Sequence, residues 1–141
     1  AARLDSYVAR APRPVVLIAH SLGTSLIMHW AARGDTSRIA GAFMVAPSDR
    51  GPADIWPEAA DSGFAPMVLR PLPFPTMVLA SRNDPYVAFD RAQAFASAWG
   101  ATLVDMGQSG HMGNAANLGL WPAGLVHFGA FLGTLKTSLQ A

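Results

Sequence analysis

Ser21, Asp84 and His111 are the side chains in this 141-residue sequence whose types and order could perform nucleophilic chemistry. Ser21 sits in Ala19-His20-Ser21-Leu22-Gly23, between a short apolar run and a stretch with helical spacing. A serine presented on a sharp strand-to-helix turn needs small residues two positions either side, because larger ones would collide around the strained backbone. The pattern is usually written G-x-S-x-G. Here Ala19 stands for the first glycine and Gly23 is the second. A helix beginning at Leu22 would aim its N-terminal N–H groups at the reacting atoms, and the Leu22 N–H could stabilise an oxyanion. Taken alone, a serine before a helix is more simply an N-cap, so the nucleophile reading depends on partners.

Asp84 lies in Ser81-Arg82-Asn83-Asp84-Pro85-Tyr86, just beyond a third apolar run. A carboxylate there could orient an imidazole and favour its protonated form, although Asp-Pro alone reads as a turn starter. Asp105 and Asp49 follow other apolar runs and are weaker candidates for the same role. His111, in Gln108-Ser109-Gly110-His111-Met112-Gly113, is flanked by glycines that would let a loop hold its ring over Ser21. His20 adjoins Ser21, but its side chain is expected to point away. His29 and His127 fall inside helical patterns, and all three are read as structural. The order Ser…Asp…His is that of α/β hydrolases rather than of chymotrypsin or subtilisin.

These positions need elements to hold them. Val15–Ala19, Ile39–Ala46, Thr76–Ala80 and Ala101–Asp105 are short, apolar and rich in β-branched residues. The first two read as strands buried on both faces. Leu22–Arg33, Phe89–Trp99 and the segment from Pro122 through Leu135 have helical spacing, and Leu4–Ala9 reads as the end of an amphipathic helix. Seven of the eleven prolines lie in residues 47–75, so that segment is predicted to be mostly loop, with at most a short helical turn near Ile55–Ala60. The order of elements implies a doubly wound α/β layer, mostly parallel, in a single domain over residues 1–141. Ligands of such folds bind beyond the carboxyl ends of the strands, where Ser21, Asp84 and His111 all fall.

Composition narrows the function. Half the chain is apolar, 13% is charged and the formal net charge is +1, which describes a globular core rather than a disordered or nucleic-acid-binding chain. With no cysteine, disulfides and thiolate chemistry are excluded, and the absence fits a reducing, cytoplasmic setting. No apolar run approaches the ~20 residues of a bilayer span. No G-x-G-x-x-G or Gly-Lys-Ser/Thr loop supports a nucleotide site. The N-terminus carries neither a signal design nor a starting Met, and is read as beginning partway through a gene product.

VVLIAHSLGT, GAFMVAP, PLPFPTMVLASRNDPY, AWGATLVDMGQSGHM and LGLWPAG run through nearly the whole chain. In this combination and order the sequence resembles the small serine-hydrolase family that includes the retinoblastoma-binding serine hydrolase and the bacterial YdeN-like proteins. The resemblance implies an α/β-hydrolase fold with Ser21 as nucleophile, Asp84 as acid and His111 as base. An asparagine common just after the family's histidine is displaced here to Asn114, which is given no role. The family begins with a strand and a Gly-rich turn supplying a second oxyanion donor. On this resemblance both are missing from the chain, leaving a strand edge unpaired and an activity weaker than that of an N-terminally extended form.

The chemistry expected is hydrolysis of an ester or amide through an acyl-enzyme on Ser21, esterase-like, on a small-molecule or peptide acyl substrate and without metal or organic cofactor. Activity should fall as acid protonates His111. Trp56, Phe64, Met67 and Phe74 could line an apolar acyl pocket or plug a sheet face, and Trp121 could anchor the last helix. The alternative is a hydrolase-like protein-binding module with little or no catalysis, because a fold does not dictate a function.

Overall fold

Alternation along Ile39–Val45 (β2) shows how the two layers of the protein are divided. In the computed structural model, which describes residues 2–51 and 63–135, Ala42 and Met44 of β2 enter one apolar cluster, and Phe43 and Val45 enter the other. Every residue of β2 is buried, as expected for a strand covered on both faces. Parallel pairing joins it to Val15–His20 (β1) on one side and Thr76–Ala80 (β3) on the other, and β3 pairs with Thr102–Asp105 (β4). The sheet order is β1-β2-β3-β4, all parallel.

Helices cover both faces. Ala2–Arg10 (α1), Leu22–Ala31 (α2) and Phe89–Trp99 (α3) supply Val8, Ile27, Met28, Trp30, Phe95 and Trp99 to the first cluster. Pro122–Thr134 (α4) covers the opposite face with Phe128, Phe131 and Leu132. Phe43 meets Phe128 edge to face, with centroids 5.1 Å apart. The close approach of α4 depends on Gly41, where a Cβ would lie 2.9 Å from Leu135 Cδ1 and from Phe131 Cζ. Gly100 ends α3 in the left-handed region at φ 69°, a conformation glycine adopts without steric cost. The parallel α/β layer therefore stands as predicted, and strand and helix bounds differ from expectation by two residues or fewer at most ends.

One burial expectation does not hold. Val15–Ala19 reads as a strand buried on both faces, yet β1 is the edge of the sheet. Its Ile18 is 63% exposed. Apolarity alone cannot separate a central strand from an edge strand, since both need one covered face. Among the described residues no strand pairs with the outer edge of β1. The helical turn expected near Ile55–Ala60, like Trp56, lies outside the described residues. No helix among the described residues is long and apolar enough to cross a membrane.

Candidate active site

Ser21 stands at the junction of β1 and α2 with φ 53° and ψ −121°, a backbone conformation that is costly for a residue with a side chain. The junction is pinned by its own backbone. The Ser21 N–H donates to the Val45 carbonyl at 3.0 Å, and the Ser21 carbonyl accepts from the Thr24 N–H at 3.0 Å and the Thr24 hydroxyl at 2.7 Å. Small neighbours make this turn possible. A Cβ on Gly23 would touch the Ala19 Cβ at 3.4 Å, so positions 19 and 23 lie against each other across the turn. The serine side chain makes no capping bond to α2. Instead its Oγ lies 2.8 Å from Nε2 of His111. The N-cap reading is thus replaced by a tertiary partner.

His111 follows β4 in a loop that turns through Gly107, Gly110 and Met112, all at positive φ. Its Nδ1 faces the carboxylate of Asp84, at 2.8 Å from Oδ2 and 3.0 Å from Oδ1. An ionised carboxylate only accepts, so Nδ1 carries the proton and Nε2 of the neutral ring accepts from the Ser21 hydroxyl. Asp84 is itself oriented, because its Oδ1 accepts the Tyr86 N–H at 2.8 Å. Its side chain is fully buried beneath His111, which strengthens the interaction by keeping water out.

The two weaker acid candidates are engaged elsewhere. Asp49 is buried and accepts from Arg91 Nε at 2.7 Å and from the Gly51 N–H at 2.9 Å. This bond raises the Arg91 pKa above its usual value. Asp105 takes Arg82 at 2.6 Å and the Gly107 N–H at 2.9 Å; these bonds hold its carboxyl below the ordinary range. Neither stands in for Asp84.

Leu22 is the first residue of α2, so its N–H has no acceptor within the helix and remains at the positive end of the helix dipole. Beside His111 opens a cleft of about 520 Å³, walled by Pro85 and Tyr86 on one side and Gly113–Ala116 on the other. The Tyr86 ring lies 4.5 Å from the His111 ring. The described apolar residues of the proline-rich segment are not part of this cleft. Phe74 and Met67 pack in the first core cluster, and Phe64 lies against His29, whose Nε2 is 3.1 Å from the Phe64 carbonyl oxygen. For Phe74 and Met67 the plug reading is the one that fits, whereas Phe64 packs on α2 rather than on the sheet. Trp121 precedes α4 at φ 47° and packs its ring where a Gly124 side chain would stand, anchoring that helix.

Three side chains beside the site escaped the sequence reading. Ser81 Oγ accepts the Ser109 N–H at 2.9 Å, and Asn83 Oδ1 accepts the Gly110 N–H at 2.8 Å, so the loop carrying Asp84 holds the loop carrying His111. The third is His20. Its reading as a structural residue pointing away from Ser21 leaves out its partner: Nε2 lies 2.8 Å from the His111 carbonyl oxygen, and the ring lines the cleft. His20 alternates to the α4 face of β1, and the His111 loop returns over that same face, which strand alternation alone could not reveal. Ser81 and Asn83 read as ordinary turn formers; their acceptor roles involve residues 27 and 28 positions away.

With this geometry in place, the model of the serine hydrolase family matches residues 1–130. The chain belongs to the serine hydrolase family. It is similar to a YdeN-like hydrolase from Pectobacterium atrosepticum, with 34% identity, a TM-score of 0.78, and coverage of 94% of this chain and 66% of that one. It thus spans just under two thirds of that relative's length. More distant structures share the fold. An α/β superfamily hydrolase from Oenococcus oeni is 15% identical with a TM-score of 0.67, over 95% of this chain and 72% of that one. The esterase domain of a Rhodothermus marinus protein is 14% identical with a TM-score of 0.63, over 92% and 65% respectively. The fold is that of the α/β hydrolases. No curated protein sequence matches the chain significantly.

Proposed function

We propose that this serine hydrolase cleaves an ester, or a similarly activated acyl bond, through a Ser21–His111–Asp84 triad. The observation that carries the reading is the 2.8 Å approach of Ser21 Oγ to His111 Nε2, with Asp84 behind the ring. His111 takes the hydroxyl proton as Ser21 attacks the acyl carbon, and the Leu22 N–H donates to the oxyanion that forms. The imidazolium, steadied by Asp84, returns the proton to the leaving oxygen as its bond to carbon breaks. Water then attacks the acyl-enzyme, again giving its proton to His111, and Ser21 is restored as the acid leaves.

The cleft bears on substrate class. Among its described lining residues none is Asp, Glu, Lys or Arg, which favours a neutral, largely apolar group beside His111 over a phosphorylated or polycationic one. A volume near 520 Å³ accommodates a small-molecule acyl or leaving group more readily than a folded protein segment. A cytoplasmic location remains part of this proposal.

The test is labelling with a fluorophosphonate probe, combined with p-nitrophenyl esters of increasing chain length. Labelling at Ser21, lost in Ser21→Ala and His111→Ala, with turnover of short esters, is the expected result. Labelling that persists without Ser21, or none in the folded wild-type protein, would leave the binding-module reading in its place.

A further inference from the structure

We propose that His20 is a positioning residue for His111, holding the base to the segment that carries the nucleophile; this rests on the reading of His111 as the base. The His20 Nε2–H donates to the carbonyl oxygen of His111 at 2.8 Å, across 91 residues of chain. Only the Nε2-protonated ring can make this bond, since the carbonyl accepts and never donates. The two imidazoles lie 4.8 Å apart at 57°. Room for the His20 ring comes from Gly113, where a Cβ would stand 3.3 Å from His20 Cε1, tighter than most real contacts.

The His111 loop needs such a hold. It reverses direction at Gly107, Gly110 and Met112, and glycine backbones resist displacement poorly. From the Asp84 side, Ser81 and Asn83 fix the N–H groups of Ser109 and Gly110. Those bonds stop short of His111 itself, whose carbonyl is met by His20 from the Ser21 side. Because His20 and Ser21 are consecutive, the bond ties base and nucleophile to one rigid junction. With Asp84 holding the ring from the other side, this bond gives the backbone of His111 a second hold. A misplacement of about 1 Å at reacting atoms costs roughly 100-fold. The His20 bond is solvent-exposed, so water replaces part of it and its loss should cost nearer tenfold.

The experiment compares His20→Phe, which keeps a ring and removes the donor, with His20→Gln, whose amide N–H reaches the position of Nε2. Two readouts are taken. One is kcat and KM on a short p-nitrophenyl ester. The other is the low-field proton resonance of the His111 Nδ1–H against Asp84. His20→Phe should lower kcat about tenfold with KM within roughly twofold, and broaden that resonance. His20→Gln should recover most of both. Unchanged kcat and resonance in His20→Phe, or equal impairment in both variants, would overturn the proposal. If His20→Phe fails to fold, His20→Asn, polar but too short to reach, replaces it. If the wild-type protein neither labels nor turns over ester, the reading of His111 as base fails. The resonance still decides whether His20 holds the ring.

Discussion

The Ser21 hydroxyl and His111 Nε2 meet at 2.8 Å although 90 residues separate them in sequence. The contact is made by two strand ends. β1 stops at His20 and β4 at Asp105, and parallel pairing through β2 and β3 brings the loops beyond them to the same carboxyl end of the sheet. Ser21 is oriented by the strained turn beneath it, and His111 by the hydrogen bonds of its loop.

That strain has a measurable consequence. With φ at 53°, Ser21 occupies a region that glycine enters freely and alanine does not. Ser21→Gly should be more stable than Ser21→Ala by about 1 kcal/mol, although neither can be labelled by a fluorophosphonate. Urea unfolding of the two variants reads the difference. Equal stabilities would show that the turn is not strained.

Among the acidic residues the expected division is sharp. Asp84→Asn should reduce kcat by about 10⁴-fold while leaving the fold intact, because the imidazole loses the carboxylate that sets its tautomer. Asp49→Asn should leave kcat within about twofold and instead reduce stability by about 1–3 kcal/mol, since it weakens a buried acceptor for Arg91. Steady-state kinetics and chemical denaturation on both variants separate the two roles.

Asn83 offers a test of the link between the two loops. Asn83→Ala removes the acceptor of the Gly110 N–H and should lower kcat about tenfold, with faster hydrogen exchange at Gly110. Asn83→Asp retains an acceptor oxygen and should restore slow exchange at that amide. Unaltered exchange in the alanine variant would mean that the loop is held without this bond.

Acid acts on the surface pair Asp105–Arg82. The folded-state pKa of Asp105 is depressed, first by the Arg82 hydrogen bond and then by the Gly107 N–H. A depressed carboxyl contributes stability above its unfolded pKa, and the contribution disappears as pH falls through the folded value. The wild-type protein should therefore have a higher Tm than Asp105→Asn at neutral pH, with the gap closing in strong acid and shrinking in high salt. A gap that widened on acidification would reverse the assigned sign. Both side chains are substantially exposed, so the difference should be small.

Much of this architecture was legible in order and periodicity. Thr76–Ala80 and Phe89–Trp99 are the observed bounds of β3 and α3, because a β-branched apolar run and an alanine-rich helix closed by Gly100 are strong local signals. That Ser21, Asp84 and His111 come together is consistent with each following a strand in chain order. The resemblance implies an unpaired strand edge, but not that β1 carries it: pairing partners are a property of the sheet, and Val15–Ala19 is apolar wherever it lies. Nor could the destinations of Phe64, Met67 and Phe74 be read, since an aromatic or thioether side chain suits a core and a pocket equally.

Local sequence specifies the strand–turn–helix around Ser21, with the small residues Ala19 and Gly23 beside it, and the relative order of serine, aspartate and histidine. These depend on neighbouring residues and local sterics. Long-range packing selects Asp84 over Asp49 and Asp105 as the carboxylate facing His111, lets Ser81 and Asn83 grip the histidine loop, and brings His20 to the His111 carbonyl. Each of those choices is a hydrogen bond between segments more than twenty residues apart. Its partner is selected by where the parallel sheet delivers the loops, which no local pattern encodes.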